Sequence, residues 1–68
     1  MLAETVAILK VRRERLGLSL EVVASELEVT RQTLWRWEAK PRRIRKGMLQ
    51  EWERIIAAAE RRAREGAA

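Results

Sequence analysis

"LGLSLEVVASELEVTRQTLWRWE", Leu16 to Glu38, reads as two short helices separated by a tight turn. Ser19 and Thr30 each stand just ahead of an apolar run, where a side-chain hydroxyl can accept from a free backbone N–H of the first helical turn. Thr30 can serve Gln32 or Thr33, and Val29 and Leu34 are spaced for a hydrophobic staple across the same helix start. The pattern predicts one helix over Leu20 to Leu27, with Val23, Ala24 and Leu27 facing inward. A second runs from Thr30 to Ala39 and is closed by Pro41, because the residue before a proline is pushed out of the helical region.

Upstream, a helix is expected from about Ala3 to Leu16, with Leu2, Val6, Leu9 and Leu16 on one side and Gly17 placed to take the left-handed conformation after it. Downstream, Met48, Leu49, Trp52, Ile55, Ile56, Ala59 and Ala63 recur at helical spacing over about Met48 to Arg64. At ~1.5 Å per residue that helix is ~25 Å long, more than three short helices need to cover. Its far half is therefore expected to meet a second copy of the chain, with Trp52, Ile56 and Ala59 as the seam of a homodimer or higher homo-oligomer through the C-terminal helix. The pairs Glu51 with Arg54 and Glu60 with Arg64 read as solvent-facing supports of the same helix. No stretch alternates apolar and polar residues long enough for a strand. The expected fold is all-α, a compact four-helix domain with five helices as the alternative, spanning 1–68: helix one in 1–17, the two-helix unit in 19–38, a basic connector in 39–47 and the C-terminal helix in 48–65.

A chain of 68 residues sits near the size at which one core is barely sufficient, burying roughly 60% of the unfolded surface. Cys, His and Asp are all absent, so disulfides and the usual tight transition-metal ligands are missing, and nothing is at hand to activate a Ser or Thr hydroxyl. No enzyme, cofactor or metal site is expected. The apolar runs fall far short of the ~20 residues that cross a bilayer, and the N-terminus lacks the apolar block of a signal peptide. The expectation is a protein of the cytoplasm of a bacterial or phage-infected cell, with no membrane partner.

The net charge of +5 is unevenly placed. Residues 1–30 carry four positive and five negative side chains, and residues 47–68 carry four of each. Between them Arg31, Arg36, Lys40, Arg42, Arg43, Arg45 and Lys46 face a single acid, Glu38. A polyanion is the natural partner of such a run, because neutralising phosphates releases their counterions; a solvated basic loop is the plainer alternative.

On these residues the stretch Leu9 to Glu38, "LKVRRERLGLSLEVVASELEVTRQTLWRWE", resembles the helix-turn-helix core of the phage repressor and Cro family. In that resemblance Gly17 matches the break after the first helix and Ala24 the small residue that lets the two motif helices approach. Val29, Leu34 and Trp37 match the apolar positions of the turn and the recognition helix. Glu38 matches the acid that pairs with an arginine of the first helix, here Arg13, a plain surface pair being the alternative. The resemblance further implies that Arg31, Gln32 and Arg36 read base edges and that Thr30 stands beside a phosphate. Two positions depart from the family pattern. Leu20 replaces a glutamine that supports a phosphate contact, and Glu28 replaces the glycine of the turn, which is then either strained or differently shaped. After Glu38 the family's usual extra helices are not matched, and a single last helix is expected.

Helical geometry assigns the two neighbouring tryptophans. At about 100° per residue Arg31, Trp35, Ala39, Gln32 and Arg36 share one face, and Thr30, Trp37 and Leu34 the opposite one. Trp37 is expected in the core. Trp35 is expected among the outward side chains, against a thymine methyl, a deoxyribose or a phosphate, or alternatively against the C-terminal helix or a dimer partner. Arg31 and Arg36 can each present two donors to guanine, and Gln32 can pair with adenine or reach a phosphate. The connector residues Lys40, Arg42, Arg43, Arg45 and Lys46 are expected to hold the phosphate backbone. The resulting expectation is a sequence-specific regulator of transcription on double-stranded DNA, a palindromic operator read by two copies. Rivals are a small phage factor that binds RNA polymerase, an antitoxin, or an excisionase-like recombination accessory protein.

Overall fold

Ser19 and Thr30 cap as their positions predict. The Ser19 hydroxyl accepts from the Val22 N–H at 3.1 Å and the Thr30 hydroxyl from the Thr33 N–H at 3.0 Å. A computed structural model describes residues 1–67, with four helices in the order α1 (Leu2–Arg15), α2 (Leu20–Leu27), α3 (Arg31–Ala39) and α4 (Lys46–Ala67). The described residues contain no fifth helix.

The first two helices end in the same hydrogen-bonded turn. After α1 the Leu18 N–H donates to the Arg13 carbonyl and the Gly17 N–H to that of Glu14, with Gly17 at φ +71°. After α2 the Val29 N–H donates to the Ala24 carbonyl and the Glu28 N–H to that of Ser25, with Glu28 at φ +60°. Both are Schellman closures that satisfy carbonyls a helix end otherwise leaves free. Glu28 keeps the turn the glycine would make, and so takes the strained of the two alternatives, at a cost of about 1–2 kcal/mol. α3 stops at Ala39, where Lys40, ahead of Pro41, leaves the helical region.

α4 is longer than expected at both ends, starting at Lys46 and running to Ala67, so the basic connector shrinks to 40–45. The Leu49 N–H already donates to the Arg45 carbonyl, and Gly47 is absorbed into the first turn, where a glycine costs little. At its far end neither a proline nor a left-handed residue interrupts the chain, and Gly66 stays helical.

The core gathers Val6 and Leu9 of α1, Val23, Ala24 and Leu27 of α2, Leu34 of α3, Ile44 of the connector and Trp52 and Ile56 of α4. Leu2, Leu16, Val29, Met48, Leu49 and Ile55 pack around them half-buried. Trp52 is fully buried, and its indole N–H finds no acceptor among the described residues, a loss of about 1–3 kcal/mol for an orphaned donor. Its ring supports Trp37, with centroids 6.3 Å apart and planes tilted by 34°.

Three expectations for α4 are corrected here. Trp52, Ile56 and Ala59 are buried against the chain's own α1 and α2 side, so the proposed seam is occupied already and cannot cover a second copy. Ala63 lies on exposed helix beyond the core. Glu60 does not pair with Arg64 along the helix but reaches across to α1, where Arg12 donates from Nε at 2.9 Å and from Nη2 at 2.6 Å. A planar guanidinium that meets both carboxylate oxygens outcompetes a one-turn contact along the same helix. The Glu51 and Arg54 pair forms as expected, on the surface.

Candidate nucleic-acid interface

α3 divides its side chains as the helical period dictates. Leu34 is fully buried, Trp37 is half-buried on Trp52, and Arg31, Gln32, Trp35, Arg36 and Ala39 stand in solvent. Trp35 is 59% exposed, so of the two tryptophans Trp37 turns inward and Trp35 outward, with no cover from α4. Trp37 keeps one edge at the surface rather than sinking wholly into the core. Arg31, Gln32 and Trp35 frame one shallow depression on the outward face. Thr30 is exposed, but its hydroxyl is engaged: it accepts the capping bond and donates to Thr33 Oγ1 at 2.8 Å. A phosphate beside Thr30 would have to take over that proton.

The tilt of α3 is held by Glu38. Arg13 of α1 donates to it twice, Nε to Oε2 at 2.8 Å and Nη2 to Oε1 at 3.1 Å, and its third donor, Nη1, meets the Leu18 carbonyl at 2.8 Å. The Arg13 and Glu38 side chains are 10% and 4% exposed, so this is a buried pair and not the plain surface contact. One guanidinium thus ties the end of α1, the turn before α2 and the end of α3. A carboxylate near a helix C-terminus faces the negative end of the dipole, and Arg13 offsets that repulsion.

The connector is anchored by one residue that sequence reasoning passed over. Ile44, the lone apolar side chain in "RRIRK", enters the core, while Arg42, Arg43, Arg45 and Lys46 on either side of it stay exposed. Its isolation between arginines was the available signal. Arg43, just before Ile44, is left-handed at φ +53°. Arg36 and Trp37 of α3 with Lys40, Arg42 and Arg43 line one open groove of about 440 Å³. Lys46 belongs to the first turn of α4 rather than to the connector. None of the seven cations from Arg31 to Lys46 takes part in an ion pair among the described residues, so their charge is free for a partner.

The model of the helix-turn-helix family, of the Cro/C1 type, matches residues 9–57, from the middle of α1 into α4. The chain belongs to that family. No curated protein and no solved structure matches it. That family is one of DNA-binding regulators. In this helix-turn-helix chain Glu28 is left-handed in the turn between α2 and α3, and Ala24 of α2 is buried. No described helix is long and apolar enough to cross a membrane.

Proposed function

We propose that the chain, as a single domain, reads double-stranded DNA sequence-specifically with α3 in the major groove, two copies meeting a palindromic site and regulating transcription there. The observation that carries this reading is the outward face of α3: Arg31, Gln32, Trp35 and Arg36 are exposed together on a helix whose other face is locked into the core. Arg31 and Arg36 offer paired donors to guanine O6 and N7, and Gln32 pairs with adenine or a phosphate. Trp35 presents a flat apolar surface to a thymine methyl or a sugar. Lys40, Arg42, Arg43, Arg45 and Lys46 hold the flanking phosphates, adding affinity without sequence information. Thr30 meets a phosphate at the N-terminus of α3, where free N–H groups favour an anion.

The test separates the two groups of side chains on duplexes selected from a random pool. Arg36→Ala should relax preference at one or two base pairs by ~1–3 kcal/mol, whereas Arg42→Ala should weaken binding to every sequence and reduce the salt dependence by about one phosphate contact. If both variants lose affinity equally on all duplexes, base reading by α3 is wrong. Binding to a protein partner that is indifferent to salt and to duplex sequence would favour a phage factor or an antitoxin instead.

A further inference from the structure

Besides Met1, Val22 of α2 and Trp35 of α3, the large apolar side chains left exposed among the described residues are Ile8 and Val11, both on α1 and neither on α4. Val6, Leu9 and Arg13 face the core, and on the opposite side Ile8 is 53% and Val11 44% exposed. With Glu4, Ala7, Arg12 and Arg15 they line one shallow, mainly apolar patch. The spacing is that of a second helical face, 4, 7, 8, 11 and 15, on a helix that needs only one for its own fold.

The charges at the two ends of this face are opposite, Glu4 in the first turn and Arg15 in the last, and the apolar pair sits midway between them. We propose that this face binds a second copy of the same chain, α1 against α1 in antiparallel order about a two-fold axis passing between positions 9 and 10. In that register Ile8 packs on the partner's Val11, Val11 on the partner's Ile8, and Glu4 meets the partner's Arg15 at both ends. Parallel pairing would set Glu4 beside Glu4 and Arg15 beside Arg15, so charge alone selects the antiparallel order. The helix dipoles oppose one another in the same arrangement. Ala7, small and exposed, allows close approach of the axes. The seam rests on the two-copy part of the proposed function and supplies the surface that α4, with its apolar face buried, does not.

One helix pair covers less than the ~800 Å² per partner of a standard interface, so the dimer is weak and forms at high protein concentration. Sedimentation equilibrium of the full chain without DNA, up to about 1 mM and at low salt, should show a monomer–dimer equilibrium. Glu4→Arg alone and Arg15→Glu alone should each raise the dissociation constant about tenfold or more, because both symmetric pairs become like-charged. An equimolar mixture of the two variants should recover association as a one-to-one heterodimer, and the double swap within one chain should recover the homodimer. Ile8→Ser, an exposed change, should abolish association, with the helical circular dichroism of every variant retained. A wild-type chain still monomeric at about 1 mM, a dimer indifferent to both swaps, or a mixture that fails to recover would each overturn the proposal. With no DNA present, its failure leaves the α3 reading intact, and the loss of base preference leaves the seam intact.

Discussion

Arg12 and Arg13 are neighbours in the chain, and each grips a glutamate with two N–H···O bonds, but they brace different parts of the molecule from different surroundings. Arg13 holds Glu38 at the end of α3 with both side chains almost out of water, 10% and 4% exposed. Arg12 holds Glu60 of α4 with about a quarter of each side chain still wet, 26% and 30%. The bonding is alike, so the surroundings decide what each pair contributes. Water left around the outer pair screens it and can replace either partner. Once one member of the inner pair is gone, nothing solvates the other.

The largest expected effect breaks the inner brace. Glu38→Ala should cost about 3–5 kcal/mol in urea denaturation, by stranding a buried guanidinium, and a domain of this size has little more to lose. Replacing both partners, Arg13→Met with Glu38→Leu, should return stability close to that of the wild type, because two apolar groups need no pairing. A double variant as unstable as the single one would show that the Leu18 carbonyl, deprived of its Arg13 donor, matters more than the charge pair. Between the two braces in size lies the strained turn: Glu28→Gly should stabilise by about 1 kcal/mol, seen as a higher denaturation midpoint with an unchanged slope. Gly17→Ala, in the same closure after α1, should move it the other way.

The smallest effect belongs to the outer brace and shows itself through pH. The Glu60 carboxyl is held below its ordinary value of 4.5 chiefly by the Arg12 hydrogen bonds, which outweigh the opposing desolvation and are helped by the smaller effects of the Arg12 and Arg64 charges. A carboxyl depressed in the folded state adds stability above its unfolded value, and that contribution fades as pH falls through the folded one. The difference between wild type and Glu60→Gln should therefore be fully present near neutrality, shrink below about pH 4.5 and weaken with added salt. A difference that grew in acid would contradict the pairing with Arg12.

Much of this was legible in local pattern. Ser19, Thr30, Gly17 and Pro41 announce helix boundaries through chemistry confined to one turn, and α2 begins and ends where they imply. The opposed placement of Trp35 and Trp37 follows from the helical period once Leu34 is taken as buried. The ends of α4 were harder to place, because Gly47 and Gly66 look like breaks but occupy helical positions. Ile44 is hidden by its basic neighbours, and the outer face of α1 by having only two large apolar side chains, Ile8 and Val11, set among charged ones.

What the sequence alone determined is therefore the set of helices, their caps and the division of each into an apolar and a polar side, all of it governed by interactions within a few residues. Only the tertiary structure decided what covers each side. It gave the face of α4 to the chain's own core and left that of α1 open, and it sent Glu60 to Arg12, 48 residues away, in place of Arg64 one turn along. Periodicity marks a surface as apolar or charged, but the partner is chosen by three-dimensional approach, where a two-pronged contact across helices wins over a nearer, weaker one.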